Sequence, residues 1–124
     1  MRNPTVLLVI EEPHDLETYG TFLRNRGYET LMCDSPREGM NCLAAKDVSL
    51  VIVSQGTPAF EGRPVLERAL QLCPKVPVLV VARVLDIHCY LDAMDLGAFD
   101  YLEKPDPRDL AWVVDMHVLR GGSA

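Results

Sequence analysis

The chain is 124 residues long, 48% hydrophobic and 24% charged, with a formal net charge of -6 at pH 7. That length supports one well-buried core and excludes two domains, and the acidic balance argues against direct nucleic-acid binding, which needs a basic footprint. No apolar run nears the ~20 residues of a membrane span and no leader pattern opens the sequence, so a cytoplasmic protein without membrane contact is the expectation. The cysteines Cys33, Cys42, Cys73 and Cys89 lack metal-ligand spacing and read as reduced, semi-buried thiols, with a disulfide framework as the alternative.

In chain order, Thr5 to Ile10 (TVLLVI) is a continuous aliphatic run, the pattern of a parallel strand buried on both faces. Glu11-Glu12-Pro13 leads into a helix whose stripe is Leu16, Tyr19 and Leu23, with Gly27 placed to end it. Tyr28 to Cys33 fits a strand nearer an edge. Ser35-Pro36 is an N-cap followed by proline at the first helical position, and Met40, Leu43 and Ala44 form that helix's stripe. Leu50 to Val53 is a second doubly buried run and reads as the central strand. It ends in Ser54-Gln55-Gly56-Thr57-Pro58, a loop at the carboxyl end, where open α/β sheets place their chemistry.

Pro64 to Cys73 carries Val65, Leu66, Ala69, Leu70 and Cys73 at helical spacing, and Pro74-Lys75-Val76-Pro77 stops it. Val78 to Ala82 is a fourth strand. Asp86 to Leu96 offers Ile87, Leu91 and Met94 on one face and closes at Gly97. Ala98 to Leu102 is a fifth strand, followed by Glu103-Lys104-Pro105 and a helix from about Pro107 to Leu119. The strand–helix alternation predicts an α/β fold with a five-stranded parallel sheet, helices on both faces and right-handed crossovers. One domain over 1–120 is expected, with 121–124 as a flexible tail or the start of a linker.

Several local signatures coincide over nearly the whole chain. They are Val9-Ile10-Glu11-Glu12-Pro13 after the first strand, Ser54 ending the third, Thr57-Pro58-Ala59-Phe60-Glu61-Gly62 behind it, and Pro77-Val78-Leu79-Val80-Val81-Ala82. The most specific is Gly97-Ala98-Phe99-Asp100-Tyr101-Leu102-Glu103-Lys104-Pro105. Together they resemble the receiver domain of bacterial two-component response regulators. The resemblance implies a flavodoxin-like, doubly wound (βα)5 fold. It also implies a site where an aspartate ending the third strand takes a phosphoryl group from a histidine kinase. Two acids after the first strand help bind magnesium, and a Ser or Thr ending the fourth strand and a Lys after the fifth contact the phosphoryl oxygens.

Carried over residue by residue, the acidic pair falls on Ile10 and Glu11, the phosphoacceptor on Ser54 and the hydroxyl on Ala82, followed by bulky Arg83. Glu12 lies one place beyond the pair and is not counted as a ligand. Lys104 stands as the family has it, and Tyr101 occupies the aromatic position that changes rotamer with phosphorylation. An acyl phosphate needs a carboxylate nucleophile, and a serine hydroxyl is weak without an adjacent base. Magnesium demands octahedral oxygen ligands and usually one or two carboxylates. These departures imply a degenerate receiver that is not an enzyme, holds no cofactor or metal, and acts by protein–protein contact. The alternative is a pocket around Ser54 and Lys104 that still takes a phosphoryl group or a small anion. A flavin- or nucleotide-binding domain is disfavoured, because Glu11-Glu12-Pro13 stands where a glycine-rich phosphate loop would be needed.

Lys104 is expected to pair with Glu11 or stay solvated, and Arg83 to fold toward Glu11 or the Ser54 loop or stay solvated. Tyr101 reads either as a two-position switch or as a partly exposed aromatic. Gly56 reads as a turn glycine with positive φ, and the dispersed His14, His88 and His117 show no metal spacing. In the last helix Leu110, Val113, Val114, His117 and Val118 form the sheet-facing stripe. Trp112, Met116 and Leu119 form a second apolar line rotated away from it. That line predicts a homodimer or a protein partner on the face made by the fourth helix, fifth strand and fifth helix.

Overall fold

A computed structural model describes residues 3–122, with side chains through Val118. The five aliphatic runs become the strands of one parallel sheet: β1 (Thr5–Val9), β2 (Glu29–Cys33), β3 (Leu50–Ser54), β4 (Val78–Ala82) and β5 (Asp100–Glu103). Between and after them run α1 (Pro13–Asn25), α2 (Pro36–Ala45), α3 (Arg63–Leu72), α4 (Ile87–Leu96) and α5 (Pro107–Gly122). The strand order is β2-β1-β3-β4-β5, so the winding reverses between β1 and β3. This is the five-stranded parallel α/β sheet that the alternation predicts, in the flavodoxin-like order that the resemblance implies.

The aliphatic runs are continuous because both faces of the sheet are covered. Leu7, Val9, Val51, Val53, Val80, Ala82 and Tyr101 pack with Leu43 of α2, Val65, Leu66 and Ala69 of α3, and Cys89 and Ala93 of α4. Their alternating neighbours Val6, Leu8, Leu50, Ile52, Leu79 and Val81, with Ile10, pack with Tyr19 and Leu23 of α1 and Leu110, Ala111, Val114 and Val118 of α5. At roughly 1.5–3 kcal/mol for each fully buried aliphatic side chain, this two-sided burial is the main favourable term holding the layers together.

The predicted stops and starts have physical partners. Ser35 caps α2, its Oγ accepting from the Glu38 amide at 3.2 Å, and Pro36 is the first helical residue. Gly97, at φ 119, closes α4 in the left-handed region. The inner face of α4 differs from expectation. Cys89 and Ala93 are the buried residues, whereas Ile87 and Leu91 are more than half or half exposed. Ala44 likewise faces solvent, and Gly39 takes the close contact with Val9. The helix α5 reaches Gly122, past the predicted end at Leu119, so Gly121 and Gly122 of the expected tail are helical; Ser123 and Ala124 lie outside the described residues. Among the described residues no helix is long and apolar enough to cross a membrane.

Candidate functional site

Four strand ends converge on one cleft of about 280 Å³ at the carboxyl edge of the sheet, beside the reversal in strand order. Ile10, Glu11, Ser54, Ala82, Arg83 and Lys104 all line it, so residues scattered over most of the sequence share one site. Glu12, Asp15 and Tyr19 of the α1 approach, Gly56 and Thr57 of the loop after β3, and Val81 and Pro105 complete the walls.

Each position follows from its element. Ile10 continues β1, its amide donating to the Cys33 carbonyl at 3.0 Å, and its side chain is only 2% exposed. It is as much a core residue as a wall of the cleft. Ser54 ends β3 half-buried, and its hydroxyl has no hydrogen-bond partner among the described residues. Behind it α3 begins against the strand: a Cβ on Gly62 would stand 2.1 Å from the Ser54 carbonyl oxygen, so only glycine fits there. Ala82 ends β4 buried and presents only a methyl.

Glu12 is committed elsewhere, as its sequence position predicts. Its carboxylate caps α1, accepting from the amides of Asp15 at 2.7 Å and His14 at 3.0 Å. Those two hydrogen bonds hold its carboxyl below the ordinary glutamate value, with a smaller contribution from Arg83. Arg83 is largely solvated, one of its two expected placements. Its guanidinium reaches Asp15 at 3.6 Å and Glu12 at 4.0 Å, not Glu11 or the Ser54 loop, because the first turn of α1 presents the carboxylates. It is 62% exposed, so these are surface ion pairs.

Of the two expectations for Lys104, the solvated side chain is found and the pair with Glu11 is not: no carboxylate lies within 4 Å of its ammonium among the described residues, and both side chains are exposed. Water solvates each charge at little cost, so nothing forces them together. The Lys104 backbone is fixed all the same. Its amide donates to the Ala82 carbonyl at 2.8 Å, and Tyr19 Oη donates to the Pro105 carbonyl at 2.7 Å. Lys104 is held at φ 39, a region that β-carbon sterics disfavour.

Tyr101 is buried rather than partly exposed, its ring edge-on to Tyr90 with centroids 5.6 Å apart. The hydroxyl donates to Gln55 Oε1 and accepts from the Asp86 amide at 3.2 Å. Burial pushes the phenol above its ordinary value, so it keeps the proton it donates. Asp86 in turn caps α4, accepting from the Cys89 amide at 3.0 Å, which keeps its carboxyl below the ordinary aspartate value. The loop after β3, the strand β5 and the start of α4 are thus joined through one phenol.

Gln55 is the residue that reading the sequence missed. It is 2% exposed and is the one buried polar side chain among the described residues. A polar residue before a glycine reads as loop. The available signal was period two: Gln55 follows Val51 and Val53 on the face that holds Tyr101. Farther along the chain, Trp112 is 63% exposed and Met116 half-buried, while the Leu119 side chain lies outside the described residues. Among the described residues no cluster of His, Cys, Asp or Glu is arranged to hold a metal ion.

The comparisons with known proteins agree with this geometry. The chain is 32% identical over 115 residues to the response regulator protein FleR of Pseudomonas aeruginosa, covering 92% of this chain and 24% of that one. It is 28% identical over 104 residues to the transcriptional regulatory protein GlrR of Escherichia coli, covering 84% and 23% respectively. The chain therefore spans about a quarter of the length of these curated relatives. The crystal structure of a CheY-like response regulator receiver domain protein from Methanospirillum hungatei superposes with a TM-score of 0.91 at 23% identity, over 98% of both chains. The family model for the response regulator receiver domain matches residues 6–115, from the first strand to the last helix. A parallel sheet wound 2-1-3-4-5, a cleft at its carboxyl edge and a match over that span together place this chain in the response regulator receiver domain family.

Proposed function

We propose that this receiver domain signals without being phosphorylated, through a fixed protein–protein surface. The observation that carries the reading is Ser54, the residue at the acceptor position, whose hydroxyl has no base hydrogen-bonded to it among the described residues. A serine without such a base is a poor nucleophile toward a phosphoryl donor. The donor set also fails to fit magnesium. Ile10 offers no side-chain oxygen, Glu12 is engaged as the α1 cap, Asp15 is paired with Arg83, and Glu11 is left as the one uncommitted carboxylate lining the cleft among the described residues.

A second feature supports a fixed state. With Tyr101 held between Gln55 and the Asp86 amide, the aromatic position is already engaged by protein groups and needs no phosphoryl group to draw it inward. The output of such a domain would lie in what its surface binds. The exposed apolar side chains Val84, Leu85, Ile87 and Leu91 around α4, and Trp112 on α5, supply that surface.

Incubation with acetyl phosphate and magnesium, read by intact mass, is the direct test: no phosphoryl adduct is expected. An adduct mapped to Ser54 would favour the alternative, in which the cleft still accepts a phosphoryl group. That second reading has one observation on its side. Lys104 lines the cleft, and its ammonium has no carboxylate within 4 Å among the described residues. Saturable shifts of Lys104 in a phosphate titration would support anion binding there.

A further inference from the structure

We infer that Cys33 and Cys42 are a thiol-oxidation site that closes into a reversible disulfide between β2 and α2. The two sulfurs lie 3.4 Å apart, nine residues apart in sequence, and both thiols are free. In a disulfide the sulfurs stand ~2.0 Å apart, so closure asks for a movement of little more than an ångström. Among the described residues no other pair of cysteines approaches this closely. Cys89 Sγ donates instead to the Pro58 carbonyl at 3.4 Å, and Cys73 caps the end of α3.

The two thiols are also unequal in the way the chemistry requires. Cys42, on α2, is partly exposed and within reach of a small oxidant, whereas Cys33 is 4% exposed. Burial, and then the hydrogen bond with Cys42, pushes the Cys33 thiol up to about 12. Cys33 is therefore a poor first attacker on a reagent in solution, and it is its place 3.4 Å from Cys42 Sγ that suits it to resolve a mixed disulfide there. With oxidised glutathione as the oxidant, Cys42 gives up its proton, its thiolate attacks one sulfur of the reagent, and the expelled glutathione thiolate takes that proton. Cys33 then gives up its proton, and its sulfur attacks Cys42 Sγ. The second glutathione thiolate leaves and takes the proton. Two protein thiols are oxidised and one disulfide reagent is reduced to two thiols.

The position gives the bond a consequence. β2 is an edge strand paired only with β1, where Cys33 lies opposite Val9 and its carbonyl accepts from the Ile10 amide beside the cleft. A bridge to Cys42 would staple that edge to α2, whose Gly39 already packs on Val9. Oxidation would thus tie the rim of the cleft to the helix behind it, whatever happens at Ser54.

The test is peptide mapping of the folded, fully reduced chain after treatment with oxidised glutathione. Residual thiols are alkylated before digestion without reductant. A linked Cys33–Cys42 peptide is expected, with Cys73 and Cys89 alkylated, and dithiothreitol should abolish the link. In Cys33→Ser, Cys42 should instead retain a glutathione. The inference is overturned if the wild type leaves Cys33 and Cys42 alkylated, if Cys42 keeps glutathione while Cys33 stays a thiol, or if the link joins other cysteines. The wild-type map decides the matter even if the variant fails to fold.

Discussion

Arg83 and Ile10 line the same cleft, yet they answer to different energetics. Arg83 is 62% exposed beside Asp15, so its ion pairs compete with water, and Arg83→Ala should change stability by no more than ~0.5 kcal/mol. Urea unfolding measures this, and a loss above about 1 kcal/mol would show that the guanidinium packs rather than floats. Ile10 is the reverse case. Its side chain is buried against the α1 and α5 side of the core, so Ile10→Asp should cost on the order of 3 kcal/mol without magnesium. Adding Ser54→Asp to that variant completes a plausible donor set with Glu11, and part of the loss should then return when magnesium is added. The wild type should show no magnesium-dependent rise in melting temperature over sodium at matched ionic strength, since a ligand stabilises only by RT ln(1 + [L]/Kd). A rise of several degrees in the wild type would mean that Glu11 and the loop carbonyls suffice.

At the level of elements, three carboxylates hold helix and loop starts, and their protonation should loosen them together. Glu12 caps α1, Asp86 caps α4, and Glu61 accepts from the Thr57 hydroxyl and amide at 2.7 Å each. All three are held below their ordinary values of 4.5, 3.8 and 4.5, by those hydrogen bonds above all. A carboxyl depressed in the folded state stabilises above its unfolded value and stops doing so as pH falls through the folded one. The melting temperature should therefore drop as pH falls from about 5 toward 3, with a shallower drop in Glu12→Gln with Asp86→Asn. The Gln55–Tyr101–Asp86 junction gives a second test. Gln55→Leu removes the acceptor of a buried phenol, should cost roughly 1–3 kcal/mol, and should speed hydrogen exchange of the Asp86 amide. Unchanged exchange would mean that Tyr101 stays inward by packing alone. Much of this level was legible in the sequence, because doubly buried strands, the Ser35-Pro36 start and the Gly97 stop depend on local chemistry. The inner face of α4 was not, because Ile87 and Leu91 have the same apolarity whether they meet a core or solvent. The three-dimensional network was not either: Gln55 is polar and adjoins a glycine, and its partners Tyr101 and Asp86 are distant in sequence. The same holds for Arg83, whose partners on α1 are set by how the chain folds back and not by anything near it in sequence.

Across the whole molecule the misread face of α4 and the second apolar line of α5 become one question. β5 is an edge strand with α4 packed on one face of the sheet and α5 on the other. The large apolar side chains left outside include Val84 at 71% and Trp112 at 63% exposure, together with Leu85 before α4 and Ile87 and Leu91 on it. Single exposed apolar residues are ordinary, but five on the elements flanking one sheet edge leave apolar area that a partner would remove from water. A stable interface needs about 800 Å² per partner with a buried aromatic anchor near its centre, and Trp112 is the residue of that type available. The expected outcome is self-association that weakens in Trp112→Ala, with little salt dependence because the contact is apolar rather than charged. Because Trp112 is exposed in the single chain, the same substitution should leave monomer stability within ~0.5 kcal/mol, which separates a lost interface from a damaged fold. Sedimentation velocity of the wild type, Trp112→Ala and Ile87→Lys over a concentration series reads both α5 and α4. Weakening by both substitutions would make the face one continuous interface, and weakening by Trp112→Ala alone would confine it to α5. A wild type that stays monomeric at the highest concentration would rule out the homodimer.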